Sequence, residues 1–221
     1  MFTGVPMFRV LTVEREYGSG GSAIARIVAE TLGWRLLDRA LVTAVARTAR
    51  VDAATVSQYD ERIDSWWHRF HRDGLRAAAI HGGVQLADAE VFDTETVATI
   101  TRAAISDAHD SGDCVIVGRG AQCILQGHDD VFHVFIYGPW SERVSRIRSR
   151  TEPTGNIGKS IRCTDDERAS YIRTCYGCDW KDPHLYNMMI SSHIGIEDAA
   201  WMIVEGVLRG GPVPLSSAKL A

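Results

Sequence analysis

The sequence predicts an α/β protein organised around a parallel sheet. Three observations carry that expectation. Val10–Ala25, VLTVEREYGSGGSAIA, reads as a short β-branched strand that passes through glycines into a helix. Cys114–Val117 and Val131–Tyr137 are short, largely apolar runs, as strands covered on both faces require. The stretches between them place apolar residues at helical spacing.

The first stretch sets the chemistry. Gly18, Ser19, Gly20 and Gly21 put three glycines in four positions just before Ile24, Ile27, Val28 and Leu32. Glycines let backbone N–H groups approach an anion, and a helix start adds unpaired donors and the positive end of a dipole. The full phosphate-loop pattern is G-x-x-x-x-G-K-[ST]. With Gly20 as the second glycine, Arg15 takes the first-glycine position, Gly21 the lysine position and Ser22 the hydroxyl position. The lysine is missing, so by pattern alone a phosphate loop and a tight turn without a ligand both stand.

The chain has 221 residues, enough for one domain or a domain with an inserted subdomain. Its net charge of −4 gives no global basic field for nucleic acid. No apolar run reaches the ~18 residues of a membrane span, and the N-terminus lacks the apolar core of a secretion signal. A cytoplasmic location is the expectation. Five cysteines, an odd number, fit a reducing compartment. Cys175 and Cys178 have zinc-like spacing, but Cys163 is isolated and no second such pair exists, so ordinary thiols are expected.

In chain order, the first helix spans Ser22–Leu32 and stops at Gly33. Trp34–Leu37 is a second strand ending at Asp38 and Arg39. Strand C-termini face the ligand crevice in such folds, which makes both residues substrate candidates. Asp38 can equally cap a following helix. The segment 52–80 is polar and helical in pieces, with Trp66 and Phe70, at i and i+4, read as helix core rather than as part of a base-stacking aromatic and basic cluster over Trp66–Arg72. Thr94–His109 is an amphipathic helix. After the strand Cys114–Val117, Gly118, Arg119 and Gly120 place a cation over the crevice, so Arg119 is the leading anion ligand. After Val131–Tyr137, Ser141 caps a helix in which Arg143, Arg146 and Arg150 share a face, suiting a triphosphate. A loop is expected over Thr154–Ser160, then a helix capped by Thr164 on which Asp165, Arg168 and Tyr171 share a face. Leu185–Ser191 is the last strand and Ile196–Leu208 the closing helix.

Several of these stretches together resemble the cytidylate kinase-like family of P-loop nucleoside monophosphate kinases. They are REYGSGGSAIA, LLDRALV, GDCVIVGRGAQCIL, VFHVFIYGP and the segment from DDERASYIRTCYGCDW through SSHIGIEDA. The resemblance implies a three-layer fold, with a parallel five-stranded sheet, helices on both faces, an insertion that binds the nucleoside monophosphate, and a lid. It implies a single domain over 1–221: a core of 8–50, 92–142 and 176–208, an insertion over 51–91, a lid over 143–175 and a tail over 209–221.

The resemblance further implies ATP and Mg²⁺ as donor and CMP or dCMP as acceptor. Gly18, Ser19, Gly20, Gly21 and Ser22 would cradle the donor phosphates, with Ser22 as a Mg²⁺ ligand. Asp38 and Arg119 would meet the acceptor, beside the strand-end candidate Arg39, and Arg146, Arg150 and Arg168 would clamp the phosphates. Arg15 would supply the charge of the missing lysine, and Glu14 and Glu16 are further metal or base candidates. Two departures stand out: Gly21 in place of lysine, and Gly120 where cytidylate kinases carry aspartate. The expected activity is ATP-dependent phosphoryl transfer to a nucleoside monophosphate. The alternatives are a non-catalytic nucleotide-binding protein and a kinase of a non-nucleotide metabolite. Expected partners are small-molecule nucleotides and, as an assembly, a second copy in a homodimer, with neither nucleic acid nor membrane.

Overall fold

The computed structural model describes residues 8–38, 94–150 and 156–209. Arg39, the insertion at 51–91 with its tryptophan pair, and the tail from 210 lie outside the described residues, as does the side chain of Arg150. Five strands form one sheet: β1 (Val10–Arg15), β2 (Arg35–Leu37), β3 (Cys114–Val117), β4 (Val131–Tyr137) and β5 (Met188–Ser191). Their order is β2-β3-β1-β4-β5, and every pairing is parallel. The chain crosses from one side of β1 to the other, so the C-terminal end of β1 is a topological switch point, where α/β folds open their crevice.

The apolar runs explain the layers. β1 alternates its side chains, sending Leu11 and Val13 to one face and Val10 and Thr12 to the other. On the first face α1 (Gly21–Leu32) and α6 (Ile196–Arg209) bury Ile24, Val28, Ala199, Ile203 and Val207 against Leu11, Val13, Val134 and Ile136. On the second, α2 (Thr94–Ser111) and the short α3 (Ala121–Ile124) cover Val10, Cys114 and Ile116. Beside them Phe135 packs with Trp180 and Tyr186, and Ile172 of α5 (Ile157–Tyr176) joins that cluster. Each fully buried side chain of Leu or Ile size contributes roughly 1.5–3 kcal/mol.

Two differences from the sequence reading have physical causes. α5 is one helix from Ile157, not a loop followed by a helix at Thr164, because the Asn156 side chain accepts the Lys159 N–H and starts it about two turns earlier. Gly158 fits inside it because its bare Cα lies against Trp140 of α4 (Trp140–Arg150). The last strand begins at Met188, since Asp182 caps a 3-10 turn over Pro183–Leu185 instead. Among the described residues no helix is long and apolar enough to cross a membrane.

The second face also holds one buried polar pair. Thr12 Oγ1 lies 2.7 Å from His133 Nδ1. Burial pushes the His133 pKa down to about 4, against an attraction from the Leu125 backbone and with repulsion from His128 adding to it. The folded pKa is therefore below the unfolded one, near 6.5. The stabilisation is complete above pH 6.5 and is lost as pH falls toward 4, because the unfolded chain takes a proton that the folded chain refuses. The expected loss is about 3 kcal/mol over that window, read by urea denaturation at pH 7 and pH 4.5. His133→Gln should flatten the profile; an unchanged slope would exclude His133 as its source.

Candidate active site

The glycine turn lies at the switch point. Gly18 and Gly20 have φ of +80° and +88°, a left-handed backbone that turns the chain from β1 into α1 without a Cβ clash. Gly20 is the N-cap residue and no side chain caps it. The first N–H groups of a helix have no intrahelical acceptor, so this end offers main-chain donors with the positive pole of the helix behind them. Ser22 is exposed at the second position of α1. The Ser19 side chain is buried, and its hydroxyl has no hydrogen-bond partner.

Charged side chains hold the turn from three sides. Arg143 of α4 donates through Nε to Tyr17 O at 2.8 Å and through Nη1 to Glu16 Oε2 at 3.1 Å. Its Nη2 bonds Asp165 Oδ2, and Asp165 Oδ1 accepts the Tyr17 N–H at 2.8 Å. Lys181 Nζ donates to Glu16 Oε1 at 2.6 Å, and the Gly138 N–H reaches Glu16 Oε2 at 3.3 Å. Arg146 donates to Ser19 O at 3.3 Å and Ser192 Oγ at 3.1 Å, and also bonds Glu142 at 2.9 Å. Arg168 donates to Arg15 O at 2.7 Å, its guanidinium 5.9 Å from the centre of the Tyr17 ring.

The expected residues thus sort by place. Arg15, Gly18, Ser19, Gly20, Gly21 and Ser22 form the turn, and Arg146 and Arg168 meet its carbonyls. Arg143, read from its spacing as facing a triphosphate, is instead consumed by two carboxylates, the buried Glu16 and the half-buried Asp165. Asp38 lies beside the turn, its Oδ1 3.9 Å from Arg15 Nη2. Arg119 sits at the end of β3 with φ of +66°, a strained conformation for a non-glycine residue. Arg39 is outside the described residues. Glu14 and Glu16 do not face solvent: Glu14 accepts the Trp180 indole N–H and Glu16 holds Arg143 and Lys181. Asp165, Trp180, Lys181 and Ser192 complete the site and had no place among the expected site residues. Only the Asp165, Arg168, Tyr171 period pointed that way.

Gly120 has its own explanation. A Cβ there would overlap the ring of Tyr176, which also donates to Arg119 O at 3.3 Å and pairs with Tyr171 Oη at 3.2 Å. The aromatic pair fills the space an aspartate would need. Among the described residues, His109, His128 and Asp130 have ligand atoms within 4.8 Å of one another, at the opposite end of the sheet. His109 Nε2 and Asp130 Oδ1 are 3.0 Å apart there and join α2 to the start of β4. The cysteines carry no disulfide among the described residues.

The family model described as the cytidylate kinase-like family matches residues 10–194. No curated protein matches the sequence. Among solved structures, an uncharacterized protein from Eubacterium ventriosum ATCC 27560 aligns with TM-score 0.64 and 18% identity, covering 90% of this chain and 97% of its own. Shikimate kinase from Acinetobacter baumannii, in complex with shikimate, aligns with TM-score 0.51 and 13% identity over 92% of this chain and 95% of its own. Shikimate kinase from Bacteroides thetaiotaomicron aligns with TM-score 0.50 and 12% identity, over 91% and 98%. At these identities the likeness concerns the fold: a parallel five-stranded sheet of the P-loop kinase kind.

Proposed function

The chain belongs to the cytidylate kinase-like family, and on that premise we propose that it transfers a phosphoryl group from ATP to a nucleoside monophosphate, CMP or dCMP. The observation that carries this reading is the glycine turn at the switch point, with Arg15, Arg146 and Arg168 on its rim. ATP would supply the phosphoryl group and Mg²⁺ would balance its charge. Main-chain donors of the Gly18–Ser22 turn, other than the Ser19 N–H that bonds Glu16 O, would hold the donor phosphates, and the exposed Ser22 hydroxyl fits a metal ligand. Asp38 and Arg119, at the ends of β2 and β3, would orient the acceptor. Catalysis would be positioning and charge neutralisation without a covalent intermediate. The segment 143–175 would act as the lid.

One observation favours a second acceptor class. Tyr176 fills the place of the aspartate that cytidylate kinases carry at Gly120, so the acceptor pocket differs from theirs. A non-nucleotide metabolite would then replace CMP. The deciding experiment is ATP titration by calorimetry, followed by ADP release over acceptors that include CMP, dCMP, other monophosphates and small hydroxylated metabolites. Release with CMP or dCMP supports the first reading and release only with a metabolite the second. ATP binding without release would defeat both.

A variant separates the acceptor role. Arg119→Ala should raise the acceptor KM by about tenfold or more while ATP affinity changes by less than about threefold. Equal loss of both would remove Arg119 from the acceptor side.

A further inference from the structure

Gly21 occupies the lysine position of the loop, and its surroundings show why no side chain stands there. A Cβ on Gly21 would lie 2.5 Å from Arg15 Cβ and 2.8 Å from Arg15 Cγ. The stem of Arg15 fills the space through which a residue-21 side chain would leave the loop. Beyond that stem the guanidinium reaches the end of β3, where any Cβ on Gly118 would overlap Nη1. We propose that residues 15 and 21 share one side-chain slot, and that Arg15 supplies through it the cation a phosphate loop takes from lysine. The inference rests on the reading that ATP phosphates sit on the glycine turn, and it deepens that reading.

The spacing explains the exchange. In G-x-x-x-x-G-K-[ST] the first glycine has no side chain and the seventh residue has a long cationic one. Here the two are reversed: position 15 carries the long cation and position 21 carries nothing. A bare residue at 15 clears the slot for a lysine at 21, and a bare residue at 21 clears it for an arginine at 15. Either arrangement delivers one positive charge to the same end of the sheet.

The other cations near the turn have different work. Arg143 and Lys181 neutralise Glu16 and Asp165, and Arg146 and Arg168 bond the carbonyls of Ser19 and Arg15. Arg15 is bracketed more loosely. Its Nη1 is 4.0 Å from Glu14 Oε1 and its Nη2 is 3.9 Å from Asp38 Oδ1, attraction without hydrogen-bond contact. Its side chain is 13% exposed, so it is desolvated enough to act strongly on a nearby phosphate. The unpartnered Ser19 hydroxyl lies at the edge of the same slot, 3.5 Å from the Cβ position of residue 21.

The test is ATP titration by calorimetry with the full chain, with melting followed alongside. Arg15→Met keeps the stem and removes the charge, and it should weaken ATP binding about tenfold or more in a chain that is still folded at the titration temperature, as the melting curve checks. Gly21→Lys alone should lose ATP binding and lower the midpoint, because two stems compete for one slot. The pair Arg15→Gly with Gly21→Lys writes out G-E-Y-G-S-G-K-S and should recover affinity to within about threefold of the parent. Wild-type affinity in Arg15→Met would overturn the role of Arg15, and a double variant no better than Gly21→Lys would overturn the shared slot. A parent chain that binds no ATP would instead defeat the phosphate reading beneath both.

Discussion

Replacing Arg143 by methionine is expected to destabilise the fold by about 3–5 kcal/mol, the largest loss of any single exposed or buried charge change at this site. The side chain is only 6% exposed and binds three groups at once: Tyr17 O, Glu16 Oε2 and Asp165 Oδ2. Methionine keeps the stem and removes every donor. Two carboxylates, on side chains 10% and 14% exposed, would then face one another without the cation between them. Lys181 still reaches Glu16, and the Tyr17 N–H still reaches Asp165, but that neutral donor does not replace the lost cation. Urea denaturation measures the loss. The double variant Arg143→Met with Glu16→Gln should recover part of it, because one orphaned charge is gone. A single variant within about 1 kcal/mol of the parent would show that the triad is not a stabilising lock. ATP affinity should fall with stability, since Tyr17 and α5 lose their common anchor just ahead of the glycine turn.

Why this lock was hidden in the sequence is instructive. Glu16 and Lys181 are separated by 165 positions and Glu14 and Trp180 by 166, so no local pattern can pair them. Periodicity reports which face of a helix a residue occupies, not which partner waits there. It therefore found Arg143 and Arg146 on one face but assigned both to a ligand, although the turn itself takes up Arg143. It served better for Asp165, Arg168 and Tyr171, whose common face does meet Tyr17, Arg15 and Tyr176. The strands were legible for a simpler reason. A strand covered on both faces reads as a near-continuous apolar run, and Cys114–Val117 is buried throughout. α5 was misread because Gly155 and Gly158 look like breakers, whereas the cap at Asn156 and the packing of Gly158 on Trp140 decide the start. The Arg15–Gly21 exchange lay in plain view as two departures from one motif; only their shared volume joins them.

Gly20→Val is expected to abolish ATP binding and to cost the fold roughly 2 kcal/mol or more. Two effects act together. Gly20 has φ of +88°, which a β-branched residue does not adopt without strain. Its Cβ would also overlap Ile196 Cδ1, at the start of α6. The second effect is soft, because the tip of an isoleucine can move. Adding Ile196→Ala to Gly20→Val relieves the overlap and leaves the backbone strain. That pair should regain some stability and none of the ATP affinity. Gly33→Ala supplies the contrast. Gly33 ends α1 with φ of +69° and has nothing within 4 Å of its Cβ position, so the substitution adds strain alone. It should cost about 1–2 kcal/mol and leave ATP affinity at the parent value. If Gly20→Val and Gly33→Ala lost stability alike and both still bound ATP, the phosphates would have to lie elsewhere than on the turn between β1 and α1. Left-handed glycine is then a requirement of chain reversal at both ends of this helix, and a requirement of ligand binding at only one.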